Sequence, residues 1–167
     1  MAEVQKPATY ADVEAAPEHL VAEIIDGRLV THPRPTTRHA AAANELAYEL
    51  TGPFRRGRGG PGGWVFLLEP EIKIGDDLLV PDIAGCRRER LPGHPETNYL
   101  SIVPDWVCEI ISPPTEIRDR TAKRRIYAEG SVGYLWLLDP RQQLLEAFRL
   151  AEGQWVLAGT WRADEEV

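Results

Sequence analysis

The sequence predicts a mixed α/β domain, a central β-sheet flanked by a few α-helices, with additional hairpin strands. Three observations carry that reading. Short apolar runs of strand length recur along the chain. Only three segments read as helices, each with its own start and stop signals. The order is helix, hairpin, helix, several strands, helix, strands, without an internal repeat or a dividing linker. The 167 residues suit one domain, residues 1–167, with a core at about 10–160.

The elements follow in order. Thr9 is placed to cap a short helix over YADVEAA. VAEIIDGRLVTH holds two extended runs joined by Asp26-Gly27, a hairpin signal, because a type I′ turn needs positive φ at both central residues. PTTRHAAAANELAYELTG reads as a helix capped by Thr36 or Thr37 and ended by Gly52-Pro53. RRGRGGPGG then reads as a flexible loop with three arginines, and it lacks the Gly-Lys-Ser/Thr ending of a phosphate-binding P-loop. WVFLLE, EIKI and LLVPDIAGC read as strands, followed by a Pro/Gly/His-rich loop over about 87–103. DWVCEIIS reads as a buried strand broken by Pro113-Pro114. Thr115 can cap a helix over roughly 116–129, closed by Gly130. GYLWLLD, LLEAFRL and QWVLAG complete the chain as strands.

Composition narrows the function classes. The hydrophobic content of 43% and charged content of 27% are those of a soluble globular protein. No apolar run reaches the ~18–20 residues that span a bilayer, and the N-terminus lacks the basic-then-apolar order of a signal peptide. A cytoplasmic protein without membrane partners is expected. Cys86 and Cys108 have no metal-binding spacing, and no disulfide is expected between them. The net charge of −7 opposes a simple nucleic-acid reading, since phosphate binding needs positive surface. The charge is uneven, however. Residues 28–58 carry six Arg against Glu45 and Glu49, and residues 86–125 carry eight Lys or Arg against six acids. Either one face is basic on an acidic body, or the surface is a mixed, solvated one.

Two acids stand inside apolar runs: Asp82, after Pro81, and Glu109, between Cys108 and Ile110. A buried charge has to be paired, neutralised or metal-bound. Two carboxylates at close range repel unless a cation lies between them, and Mg²⁺ takes one or two carboxylates while keeping several waters. Bound Mg²⁺ can activate a water and stabilise charge on a phosphodiester, and such a site usually also needs a lysine to orient the nucleophile or stabilise developing charge. Alternation along the strand gives position 111 the same face as Glu109, but position 111 is Ile. The lysine must come from elsewhere, and Lys123, four residues after Asp119 on the following helix, is the nearest choice. Arg120, Arg124 and Arg125 point in other directions and could meet phosphates. Each feature has a plainer reading. Asp82 suits a turn or cap, Glu109 an ion pair with a buried Arg, and Asp119–Lys123 a surface pair. His39 suits a polar helix face, and the five Trp suit a core better than a base-stacking platform.

VPDI, DWVCEIISPPTEIRDRTAKRRIYAEGSVGYLWLLDP and EIIDGRLV…PTTRHAAAANELAYEL together resemble the Uma2 family, also called the domain-of-unknown-function 820 family. The most specific part is a strand ending Glu-Ile-Ile-Ser-Pro, a helix with Asp and Lys four apart and then Tyr, and a Tyr-x-Trp strand ending Asp-Pro. The resemblance implies a restriction endonuclease-like fold of the PD-(D/E)xK superfamily. It implies a metal-dependent endonuclease that hydrolyses nucleic-acid phosphodiester bonds, with DNA the expected substrate. It implies Mg²⁺ or Mn²⁺ on Asp82, Glu109 and the backbone carbonyl of Ile110, with Lys123 standing in for the displaced signature lysine. Glu23, His39 and Asp119 are implied near the cleft, and Glu45 or Glu49 as the first-helix acid of relatives of the fold. Those relatives also admit a homodimer. The missing lysine at position 111 and the acidic net charge keep an alternative open, a catalytically weak or inactive nuclease-fold module that binds nucleic acid or protein.

Overall fold

The computed structural model describes residues 6–163. A short helix α1 (Tyr10–Glu14) opens with a capping box between Thr9 and Asp12. Strands β1 (Leu20–Ile25) and β2 (Arg28–Pro33) form the expected hairpin, with Asp26 and Gly27 both at positive φ, 52° and 71°. Helix α2 (Thr37–Leu50) starts at Thr36, whose hydroxyl accepts the His39 N–H. It does not stop at Gly52-Pro53. A π turn over Thr51–Arg55 carries the chain one further turn through them. Then come β3 (Trp64–Leu68), β4 (Glu71–Ile74), β5 (Asp77–Leu79), β6 (Ile83–Arg87), β7 (Tyr99–Leu100) and β8 (Trp106–Ile110). After α3 (Glu116–Arg118), a π turn (Asp119–Lys123) and α4 (Arg124–Glu129), the chain ends in β9 (Tyr134–Asp139), β10 (Leu144–Ala151) and β11 (Gln154–Arg162).

The strands divide between two mixed sheets. One has the order β2-β1-β5-β4-β7, the other β11-β10-β9-β8-β6-β3. LLVPDIAGC, which reads as one run, supplies a strand to each sheet, and Val80-Pro81-Asp82 is the link between them. Asp82 therefore lies beyond a strand end and not within a strand. The reason is visible in the backbone: the Val80 N–H and C=O go to Glu23 and Lys123 side chains instead of a strand neighbour, and Pro81 has no N–H to offer. The two-residue β7, inside the expected loop, pairs parallel with β4.

Alternation along β8 sets the layers. Trp106, Cys108 and Ile110 face α2, where Ala42, Ala43, Leu46, Ala47 and Leu50 cover them. Val107 faces the other way, into the main core with Ile111, Ile126 and Tyr127, which the five-stranded sheet closes with Ile25, Ile72 and Leu79. Helix α1 packs on the outside of the five-stranded sheet through Val13, Ile24 and Leu78. No helix among the described residues is long and apolar enough to cross a membrane.

Two helix-end expectations change. The Thr115 hydroxyl bonds to Ser112 and does not bond the helix N-terminus. Gly130 ends α4 at φ −74°, so no left-handed cap is involved. Glycine is needed there for close approach, because an added Cβ would lie 2.6 Å from Ile74 Cγ2. Gly130→Ala should destabilise the fold by about 1–3 kcal/mol, as overpacked core sites do. Urea unfolding checks this as a lower midpoint at unchanged m-value.

Candidate active site

Three carboxylates gather around one ammonium group where the two sheets meet. Lys123 Nζ lies 2.8 Å from Glu109 Oε1, 2.9 Å from Glu23 Oε1 and 3.9 Å from Asp119 Oδ1. It also donates to the Val80 carbonyl at 3.1 Å. All three ammonium donors thus have acceptors. Lys123, Glu109, Glu23 and Asp119 are buried, so the Asp119–Lys123 pair is not a surface pair. The cation beside Glu109 is this lysine and not an arginine.

Local sequence explains each placement. Glu109 shares the strand face of Val107, which points into the main core. Glu23 shares the parity of Val21 and Ile25, the inward side of β1, while Ile24 faces α1. Its Oε1 also accepts the Val80 N–H at 2.8 Å, which pins the link between the sheets. Asp119 and Lys123 begin and end the π turn, a widened helical turn common at functional sites. One helical repeat later the Tyr127 hydroxyl donates to Glu109 Oε1. Tyr127 had a place in the sequence pattern but no role. Its signal was the shared face, since positions 119, 123 and 127 are spaced four apart.

Asp82 joins from the link. Its Oδ2 accepts the Ile110 N–H at 2.6 Å, so Asp82 and the end of β8 are locked together. Its Oδ1 lies 3.1 Å from His39 Nε2. His39 is thus buried against an acid and not displayed on a polar helix face. Its Nδ1 is buried without a partner.

Other expected residues do not come here. Glu45 is exposed, and so is Glu49. His39 faces inward with Ala42, Ala43 and Leu46, and six residues at about 100° each turn Glu45 away from that face. Arg120 is held by Glu116 and Glu146, and Arg125 by Asp26 and Glu129. Arg124 lies over the Phe148 ring, 4.3 Å from its centroid. None of the three lines the cavity beside the acids.

That cavity has a volume of about 90 Å³ and is lined by Asp82, Glu109, Asp119, Lys123, His39 and Glu69, with the Pro33–Thr36 and Pro114–Thr115 segments at its sides. It has room for several waters. Burial raises the Glu109 carboxyl well above the usual range; Lys123 opposes the shift, and Asp119, Asp82 and Glu23 reinforce it. Asp119 is raised by burial too, again against the pull of Lys123. Glu23 is also pushed up by burial, but Lys123, His32 and the Val80 N–H outweigh that and hold it at about 2. Arg118 Nη1 lies 3.5 Å from Glu23 Oε2 and His39 lies beside Asp82, but among the described residues Lys123 is the one cation paired with Glu109 and Asp119. The donor set therefore fits an added oxygen-preferring cation. Among the described residues no three His, Cys, Asp or Glu side chains converge as a metal-binding group. The fit is to an ion held by one or two carboxylates with water completing its shell, which is the habit of Mg²⁺.

The chain matches a family model over residues 7–167, that of Uma2, described as "Putative restriction endonuclease". It belongs to the Uma2 family. The fold agrees with a crystal structure of a "putative nuclease belonging to DUF820" from Anabaena variabilis ATCC 29413, with a TM-score of 0.74 and 25% identity, covering 90% of this chain and 84% of that one. No curated protein matches the chain. The extra hairpin strands have places in the fold: β1 and β2 bring Glu23 to the acid cluster, and β10 and β11 extend the six-stranded sheet.

The raised Glu109 carboxyl has a consequence for stability. A folded-state pKa above the unfolded one means that the fold disfavours the charged form, so stability falls as pH rises above the unfolded pKa, and at neutral pH Glu109 costs stability. Glu109→Gln keeps an acceptor for Lys123 and Tyr127 and removes one of the crowded charges. In metal-free buffer it should raise Tm, by about 2–4 °C for each kcal/mol relieved. Calorimetry of the two proteins in EDTA checks it.

Proposed function

We propose that this Uma2 protein is a divalent metal-dependent endonuclease that hydrolyses phosphodiester bonds, with DNA as its expected substrate. The observation that carries the reading is the excess of buried acid around Lys123, at the mouth of which Asp82 and Glu109 share a cavity. Family membership supports it. Asp82, Glu109 and the Ile110 carbonyl would hold Mg²⁺ or Mn²⁺. When bound, such an ion lowers the pKa of water and offsets charge on a phosphoryl oxygen.

The chain's own residues do the rest. Asp82 is oriented from both sides, by the Ile110 N–H and by His39. Glu109 is fixed by Lys123 and Tyr127. Lys123 has all its donors engaged, so it acts first as a positioning residue that aims Glu109 and favours its charged form against burial. It contacts a phosphate or a nucleophilic water only by exchanging one of those bonds. A Tyr127→Phe variant should therefore lower the nicking rate without abolishing it and cost about 1 kcal/mol of stability. Single-turnover nicking and urea unfolding read the two effects.

A second reading rests on the same lysine. If the saturated ammonium never exchanges a bond, the site is a charge-balanced structural cluster in a nuclease-fold binding module. Incubating supercoiled plasmid with the protein in Mg²⁺, Mn²⁺ or EDTA separates the readings. Metal-dependent conversion to open circles supports the nuclease. Intact plasmid in every metal, with the protein folded, supports the module.

A further inference from the structure

The face of the six-stranded sheet opposite Glu109 carries an aromatic strip. Gly85 of β6 pairs with Phe66 of β3 on one side and Trp106 of β8 on the other, and Trp136 of β9 follows. Trp106 and Trp136 meet edge-to-face at 5.3 Å, Phe66 and Trp106 at 5.9 Å, and Trp64 stacks on Phe66 at 6.1 Å. Gly85 makes the strip continuous, since a Cβ there would come within 3.0 Å of Phe66 and 3.2 Å of Trp106. Helix α2 covers the strip only in part. Beyond Leu50 a groove of about 200 Å³ stays open, with the strip as its floor and Phe54, Tyr134 and Arg87 at its sides. Phe54 and Tyr134 are 36% and 48% exposed.

The rim is basic. Arg55 ends the π turn after α2, Arg56 and Arg58 follow in the Gly-rich loop, Arg87 ends β6 and Arg88 follows it; all five are exposed. The Arg88 side chain donates to the Arg55 carbonyl at 2.7 Å, which ties the two segments together. The Arg87 guanidinium sits 4.0 Å from the Trp64 ring centroid. Among the described residues none of the five makes an ion pair with a carboxylate, whereas Arg90, Arg120, Arg125 and Arg141 all do. Glu89 is the one acid beside them in sequence. In a chain of net charge −7 these five cations without an ion pair stand together beside the open aromatic floor.

We propose that this groove binds single-stranded nucleic acid, bases on the aromatic floor and phosphates on the arginine rim. Stacking platforms edged by cations bind unpaired strands with little sequence preference, and Arg over an aromatic ring adds to the stack. An apolar partner would fill the floor but leave the rim cations unmatched; a polyanion satisfies both. Helix α2, of 14 residues and so about 21 Å long, runs from His39 beside Asp82 to Leu50 at the groove. The groove is a docking site apart from the acid cluster, and it does not depend on cleavage.

The test is fluorescence anisotropy of a labelled oligothymidylate with the full chain in EDTA, with tryptophan emission followed in parallel. Tighter binding to the oligothymidylate than to a duplex of equal length is expected, with quenched tryptophan emission. The exposed Phe54→Ala should weaken binding about tenfold. The Arg55→Ala/Arg56→Ala/Arg58→Ala variant should flatten the salt slope by about 2. Arg28→Ala, at an exposed arginine of β2 away from the groove, should bind as the parent does. Equal binding by the arginine variant, preference for duplex, or dimerisation through the groove that Phe54→Ala abolishes without any oligonucleotide binding would each overturn the proposal. Unchanged Tm of the variants shows that folding is not the cause.

Discussion

Lys123→Met should lower stability by about 3–5 kcal/mol, or about 6–20 °C in Tm for a chain of this size. The side chain fits in volume, but the change strips the ammonium from three buried carboxylates at once. Breaking a buried ion pair costs more than the pair contributes, because the remaining charge is left unsolvated. Here the remainder is a cluster. Glu23 loses the largest of the groups that outweigh its burial, and Glu109 loses the cation that opposes its upward shift. Val80 loses a carbonyl partner as well, which loosens the link that carries Asp82. The effect should be non-additive. Adding Glu23→Gln to Lys123→Met removes one stranded charge, so the double variant should be more stable than the single one. A double-mutant cycle by urea unfolding should give a coupling of about 1–3 kcal/mol. An additive cycle would mean that the lysine and the glutamate are solvated separately, contrary to their burial.

Asp82→Asn should leave the fold nearly unchanged and reduce plasmid nicking about 10³-fold or more, a barrier change of about 4 kcal/mol. The substitution keeps an oxygen for the Ile110 N–H, so the register between the link and β8 holds. It removes the charge that faces the cavity and the partner of His39. Asp82 is the least buried of the four acids, 16% exposed at the side chain, so its neutralisation changes the folded state least. A residual rate in Asp82→Asn equal to that of the parent would assign any observed nicking to a contaminant or to another site. Loss of rate together with a large fall in Tm would mean that Asp82 is structural.

Much of this architecture was legible in the sequence, for physical reasons that differ by element. Glu109 announced itself because an apolar five-residue strand cannot take a charge without a purpose. The Asp26-Gly27 hairpin was legible because few sequences tolerate two positive φ values in succession. The phase of α2 was legible as well: positions 39, 42, 43, 46, 47 and 50 form one stripe, and reading it through would have turned Glu45 and Glu49 to solvent. Asp82 was placed within a strand because LLVPDIAGC is continuously apolar on both sides of it. What splits the run is the capture of the Val80 backbone by Glu23 and Lys123, which come from β1 and the π turn. Long-range capture leaves no local signature. The same holds for β7, two residues that exist as a strand only because β4 lies beside them. The π turn is silent too, since nothing in the helix propensity of DRTAK marks an extra residue. The saturation of Lys123 could be found only in three dimensions, and it shifts the lysine from a group assigned to the nucleophile to one that holds Glu109.

The proposed chemistry requires a divalent ion held where the acids crowd, and binding of that ion is measurable without any turnover. Titration of the full chain with Mn²⁺, followed by calorimetry and by the electron paramagnetic resonance of free Mn²⁺, should show a saturable site that Mg²⁺ displaces. Asp82→Asn and Glu109→Gln should each weaken it at least tenfold. Saturable Mn²⁺ binding of equal affinity in the parent and in both variants, or no binding at millimolar Mn²⁺, would contradict it.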